Sequence, residues 1–133
     1  ANKALATETA LTYAEFVSMD ASRAQILKYI HKDSAFYETV RTYNNTWFGE
    51  HNTHEFRNVA ISDYYSYGSS DFSCTVSFQP FYTRGSRVIE GIPARFHMTF
   101  LRTDDGWKLF TLVQGTVEKD ETATTTTTVT ANG

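Results

Sequence analysis

The 133-residue chain is expected to form an α+β domain, with N-terminal helices packed on a strongly curved, mainly antiparallel four-stranded sheet. Up to Tyr43 the apolar residues recur at helical spacing, and after His54 their period becomes 2. Short segments rich in Gly, Ser and Asp separate the alternating stretches, which is typical of strands joined by tight turns. Helices that come first and strands that come later favour segregated layers over alternating βαβ units.

Three helices are predicted in the first third of the chain. Neither Gly nor Pro interrupts these stretches, and their apolar residues fall on one stripe of each helix. Asp33 or Ser34 is a suitable N-cap for the third helix, because a short polar side chain accepts hydrogen bonds from free backbone N–H groups. The predicted spans are Ala4–Met19, Ala21–His31 and Ala35–Tyr43.

Four strands are predicted in the remainder. The second is the clearest, since apolar Phe72, Cys74, Val76 and Phe78 alternate with small polar residues. Pro80 after it indicates a bulge or an edge position, because proline has no backbone N–H. The predicted strands are His54–Tyr65, Phe72–Phe78, Val88–Phe100 and Trp107–Val117, and turns at 67–71, 84–86 and 104–106 connect them.

Composition argues against several classes of function. The net charge is −3 and no Lys/Arg cluster occurs, so nucleic-acid binding is not expected. No apolar run approaches the roughly 18 residues of a membrane span, so membrane insertion is not expected. Cys74 is the single cysteine, which rules out an internal disulfide and a multi-cysteine metal site. Neither a metal nor a cofactor is predicted.

The end of the chain differs in composition from the rest. Every aromatic residue lies between Tyr13 and Phe110, and 7 threonines fall between Thr122 and Thr130. We therefore expect a single domain over residues 1–117 and a Thr-rich tail or linker over residues 118–133. Such tails favour a secreted or cell-envelope location.

Several segments resemble the nuclear-transport-factor-2-like superfamily, which includes SnoaL-like polyketide cyclases and ketosteroid isomerases. They are the N-terminal helices, Val59–Asp63, Phe72–Phe78, and His97–Arg102 followed by the turn and Trp-led strand Asp104–Leu109. The resemblance covers roughly residues 4–117. It implies a cone-shaped, cystatin-like fold with a pocket, and frequently a homodimer formed across the sheet. It does not imply one activity, because the superfamily contains enzymes, transport factors and accessory domains.

Two carboxylates are the candidates for acid–base catalysis. Asp63 is followed by Tyr64 and Tyr65, a combination suited to proton transfer with a tyrosine stabilising an enolate. Glu90 shares strand parity with Val88 and Ile92, so it is a candidate general base inside the apolar layer. The alternatives are an ordinary strand-terminal Asp63 and a Glu90 solvated in a turn or bulge near Gly91 and Pro93.

Aromatic residues at helical or strand spacing either fill a core or line a ligand pocket. If the cone is open, we expect it to hold a small apolar ligand. The candidate pocket-lining residues are Tyr13, Phe16, Tyr37, Trp47, Phe96 and Met98.

The polar face of the third predicted strand carries Arg95 and His97 beside the hydroxyl residues of the second. This face is expected to form a homodimer contact or a solvated surface. Together these features predict a non-catalytic small-ligand- or partner-binding domain, which is expected to be homodimeric. The alternative is a cofactor-free isomerase or cyclase that acts on an apolar carbonyl compound through Asp63 or Glu90.

Overall fold

The computed structural model describes residues 1–19, 23–43 and 52–115. Within these ranges three α-helices, α1 (Asn2–Met19), α2 (Arg23–Tyr29) and α3 (Ala35–Thr42), precede five strands. The strands are β1 (Asn52–Tyr67), β2 (Asp71–Arg84), β3 (Arg87–Glu90), β4 (Ala94–Thr103) and β5 (Gly106–Gln114). All named strand pairs are antiparallel and the order is β1-β2-β4-β5, with β3 also paired to β2. The predicted α+β class is therefore confirmed.

One face of the curved sheet packs against the helices and forms the core. Alternate residues of β2 and β4 point to this inner face, and α1 contributes Ala6, Ala10 and Phe16 to it. The small residues of α1 let the helix approach the sheet closely. The inner-face side chains of the strands include Phe72, Val76, Phe78, Phe96, Met98, Phe100 and Leu109, all of them buried.

The predicted single strand from Val88 to Phe100 is wrong, because the chain forms two strands there, with residues 91–93 between them. Strand β2 pairs with β4 through Phe78 and with β3 from Phe81 onward. Pro80 lies between these two pairings, and its carbonyl accepts a hydrogen bond from Gly91 N–H at 3.0 Å. Pro80, which has no backbone N–H, therefore lies where neither β3 nor β4 requires a hydrogen bond from that group.

Gly91, beside this junction, is packed closely against side chains of β2. A Cβ built on Gly91 would lie 2.6 Å from a ring carbon of Tyr82 and 3.1 Å from Cγ of Pro80. No larger residue fits without displacing these two side chains. The sequence pattern showed Gly91 and Pro93, but the ring that packs on Gly91 comes from another strand.

Strand β1 is irregular along its length. Its pairing with β2 shifts register between Thr53 and Glu55, between Arg57 and Ala60, and between Ser62 and Tyr65. Asn58 and Asp63, which lie within two of these bulges, have positive φ angles of 57° and 53°. Asparagine and aspartate tolerate this left-handed backbone better than other non-glycine residues. The bulges bend and twist β1, which adds to the curvature of the sheet.

Side-chain hydrogen bonds fix the two ends of α3. Ser34 is the N-cap, as predicted, and its Oγ accepts a hydrogen bond from Tyr37 N–H at 3.1 Å. At the other end the Arg23 guanidinium donates to the carbonyls of Val40 and Arg41, both at 3.0 Å, and of Tyr43 at 2.9 Å. Arg23 thereby supplies donors to carbonyls at the end of the helix, one of which, that of Val40, also accepts from Tyr43 N–H at 3.3 Å.

Replacing Arg23 with Met should lower the free energy of unfolding by about 2–3 kcal/mol, because three carbonyls lose charge-assisted hydrogen bonds. Chemical denaturation measures the difference. Arg41→Met is the matched control, since the contact seen for the Arg41 side chain among the described residues is an exposed ion pair with Glu38, and its loss should be within experimental error. Equal effects of the two substitutions would contradict the assigned role of Arg23.

Candidate functional site

In the part of the chain that the structure describes, side chains fill most of the space between the helices and the inner face of the sheet. Phe16, Phe72 and Phe100 have no exposed surface, and Phe96 and Met98 are 2% and 1% exposed. Rings from different elements meet here at ordinary packing distances, as between Phe72 and Phe100, whose centroids are 4.7 Å apart in a parallel stack. A substrate-sized ligand has no room at these positions.

The predicted pocket-lining residues are distributed as follows. Phe16, Phe96 and Met98 are buried in the core, and Tyr13 is half-buried beside them. The ring of Tyr13 packs against those of Phe16, Phe36 and Phe96, at centroid distances of 6.0, 5.4 and 5.6 Å. Tyr37 is half-buried on α3. Trp47 lies outside the described residues.

An apolar pocket of about 280 Å³ remains at one end of the core, between α1 and the strands. We call it the end pocket. Ala14 and Val17 of α1, Phe78 and Pro80 of β2 and Phe96 of β4 supply its apolar surface. Tyr82, Arg95 and Gln114 add polar atoms, and Ile92, which is 82% exposed, lies at the rim. Among the predicted pocket-lining residues, Phe96 contributes to this pocket.

Burial controls the ionisation of the phenols and the thiol near the core. Burial raises the pKa of Tyr13 to about 12, and the neighbouring Tyr43 adds to the effect. Burial also raises the pKa of Tyr82 and of the Cys74 thiol. Near neutral pH all three groups are therefore protonated, and Cys74 is a poor nucleophile.

The outer face of the sheet, opposite the described helices, carries a groove of about 340 Å³ that we call the outer groove. Its lining is rich in hydroxyl groups, and it includes exposed Tyr65 and Val113 as well as His97. Thr75 is 4% exposed, and its Oγ1 lies 2.9 Å from Nδ1 of His97 across the β2–β4 pair. This hydrogen bond fixes the position of the imidazole ring. The hydroxyl residues are Ser73, Thr75, Thr99 and Thr111.

The structure places the two candidate catalytic carboxylates in different surroundings. Asp63 is exposed, lies in a bulge of β1 and lines the outer groove with Tyr65 and His97. Glu90 is exposed at the end of β3, where it is paired in register with Phe81. The two carboxylates are not brought together, and neither lies in the core. Glu90 is therefore solvated and does not lie inside the apolar layer.

The pairing of Thr75 with His97 is the feature that sequence reasoning did not assign. Alternation placed both residues on the polar face of their strands. Their contact depends on the register between β2 and β4, which pairs these two residues directly. A single sequence does not determine that register, because β2 and β4 are not joined by a tight turn. The connection between them contains the whole of β3.

Comparisons with known proteins do not assign the chain to a family. No protein-family model matches the chain, and no curated protein matches it. The chain is similar to a crystal structure from Novosphingobium aromaticivorans of a protein proposed to be an aromatic ring hydroxylase. The two are 14% identical, the match covers 81% of this chain and 89% of that one, and the TM-score is 0.46. That score is too low to support an argument about function. Within the described residues, no helix is long and apolar enough to cross a membrane.

The stability of the protein should fall between pH 10 and pH 12. The phenol of Tyr13 ionises near 10.0 in the unfolded chain but at about 12 in the folded protein, so its contribution is complete below pH 10 and is lost as the pH rises to 12. The loss amounts to about 2–3 kcal/mol. The Tyr13→Phe variant should therefore lose about 2–3 kcal/mol less of its unfolding free energy over this range than the wild-type protein. Urea unfolding at both ends of the range measures it, and equal slopes in the two proteins would contradict the burial of this hydroxyl.

Proposed function

We propose that the chain is a non-catalytic binding domain of the nuclear-transport-factor-2-like type, which associates with a second copy through the outer face of its sheet. The observation that carries this proposal is the filled interior. A domain with the chemistry of a cyclase or isomerase needs a cavity in which a carboxylate meets its substrate away from water. Here rings occupy that position, and the candidate carboxylates are exposed.

Support for the fold-level part comes from the α+β architecture and from the resemblance of the sequence to the superfamily. Helices on one face of a curved antiparallel sheet agree with that resemblance. The fold alone does not decide the function.

Support for the homodimer comes from the outer face. Val113 and Tyr65 are 60% and 58% exposed there, beside a groove of polar but mostly uncharged side chains. Exposed apolar and aromatic residues in a patch that is poor in charge are typical of protein–protein contacts. His97 supplies a polar group to the same face.

The enzyme alternative rests on one observation, that Asp63, Tyr65 and His97 line the outer groove together. A carboxylate, a phenol and an imidazole are suitable for proton transfer. The groove is on the solvent side of the sheet, however, where water competes for each of these groups and weakens their electrostatic effect on a bound carbonyl. The binding function therefore has the stronger support.

Light scattering of the wild-type protein should give roughly twice 15.1 kDa. Val113→Glu should raise the dimer dissociation constant about tenfold or more, because it places a charge in an apolar part of the contact. Val88→Glu is the matched control, since Val88 is similarly exposed, at 54%, but lies on β3 and does not line the outer groove at which the contact is centred. A wild-type monomer at high concentration, or equal effects of the two variants, would contradict the proposed interface.

The small ligand is proposed to bind in the end pocket. Among the described residues its lining combines apolar walls with one cation, Arg95, which suits an apolar molecule with an acidic group. Anilinonaphthalene sulfonate is a fluorescent probe of this kind. The probe should bind the folded protein in a saturable manner. Val17→Phe should weaken binding about tenfold by filling the pocket, whereas Val88→Phe should not. Unsaturable binding, or equal binding to both variants, would contradict the proposed ligand site.

A further inference from the structure

A second groove, of about 510 Å³, lies between the end of α2 and the turn that joins β4 to β5. We call it the hairpin groove. It is separate from the end pocket and from the outer groove, and none of the sequence-predicted site residues lines it. Its volume falls within the range of about 300–1,000 Å³ that is usual for small-molecule sites.

The floor of the hairpin groove is apolar and attached to the sheet. Ile30 is 2% exposed and Leu27 is half-buried, and both line the groove. Ile30 forms a parallel bridge with Leu109, and His31 N–H donates to the Leu109 carbonyl at 2.8 Å. The floor is therefore preformed, since its backbone is held by β5.

Cationic and donor groups come from α2, the turn after it and β5. Lys28 and Lys32 are exposed at the groove, and Lys108 reaches across from β5 to donate from Nζ to the Lys28 carbonyl at 2.8 Å. Nδ1 of His31 accepts a hydrogen bond from Asp33 N–H at 3.1 Å. The proton of the neutral ring is consequently on Nε2, which is a hydrogen-bond donor.

Anionic groups come from the turn between β4 and β5, where Asp104 and Asp105 are exposed. Thr103 fixes this turn, because its Oγ1 donates to the Gly106 carbonyl at 2.7 Å and accepts from Asp105 N–H at 3.1 Å. Gly106 has a φ of 101°, which other residues rarely adopt. No ion pair within the described ranges joins these carboxylates to the lysines of the groove.

We propose that the hairpin groove binds short zwitterionic peptides with an apolar side chain. The terminal carboxylate would bind among Lys28, Lys32 and the Nε2 donor of His31, and the terminal ammonium at Asp104 and Asp105. The side chain would lie on the Leu27–Ile30 floor. A purely anionic ligand would be repelled by the carboxylates, and a purely cationic one by the lysines. The groups proposed for the carboxylate belong to α2 and the turn after it, and those proposed for the ammonium belong to the β4–β5 turn.

Isothermal titration calorimetry with three probes tests the ligand class. Leucylleucine should bind with a saturable isotherm. N-acetyl-leucylleucine, which lacks the ammonium, and leucylleucine amide, which lacks the carboxylate, should each bind about fivefold or more weakly, because each loses one set of charge contacts. Equal affinities for the three probes, or no saturable binding of leucylleucine, would overturn the proposal.

Two variants assign the charges to their sides of the groove. Lys32→Gln should weaken binding of leucylleucine and of its N-acetyl form, and leave the amide unaffected. Asp105→Asn should weaken binding of leucylleucine and of the amide, and leave the N-acetyl form unaffected. Both positions are exposed, and circular dichroism checks that the variants fold. Lys3→Gln on α1, away from the groove, is the charge-matched control. The reverse pattern, or an equal effect of Lys3→Gln, would overturn the assignment.

Discussion

The side chain of Phe72 connects the strands of this domain. From β2 its ring packs on Tyr64 of β1 at 5.7 Å, on Phe100 of β4 at 4.7 Å and on Trp107 of β5 at 5.0 Å. One fully buried ring thus contacts every strand of the main sheet order. Because these contacts come from strands distant in sequence, the ring cluster forms only when β1, β2, β4 and β5 are all in place, which makes the sheet cooperative.

A second ring cluster joins the helices to the sheet. Phe96 of β4 contacts Phe78 of β2 at 5.5 Å and Tyr13 of α1 at 5.6 Å, and Tyr13 continues to Phe36 of α3. The aromatic residues of the chain are therefore used mainly as a packed core. Within the described residues these rings fill most of the interior, and cavities remain at its end, on the outer face, beside the β4–β5 turn and at the start of α1.

Local patterns in the sequence were sufficient for most of the fold. Alternation along Phe72–Phe78 and along 94–100, the N-cap at Ser34 and the turn before Gly106 depend on neighbouring residues, and each occurs where the pattern placed it. The break at Gly91 depends on Tyr82, and the contact of Thr75 with His97 depends on strand register. Such features require knowledge of which residues meet across the sheet, and a single sequence does not supply it. The interior alternative for Glu90 is not observed, and the side of the sheet on which this residue lies likewise depends on strand pairing.

The irregularities of β1 bear on how the protein behaves in a crowded solution. Within the described residues this 16-residue strand is at an edge of the sheet, and a long straight edge would offer its free backbone groups to any other extended chain. The left-handed residues Asn58 and Asp63 interrupt the regular spacing of those groups. An incoming strand could therefore match only short stretches of the edge. The shape of β1 thus disfavours edge-to-edge aggregation of the protein.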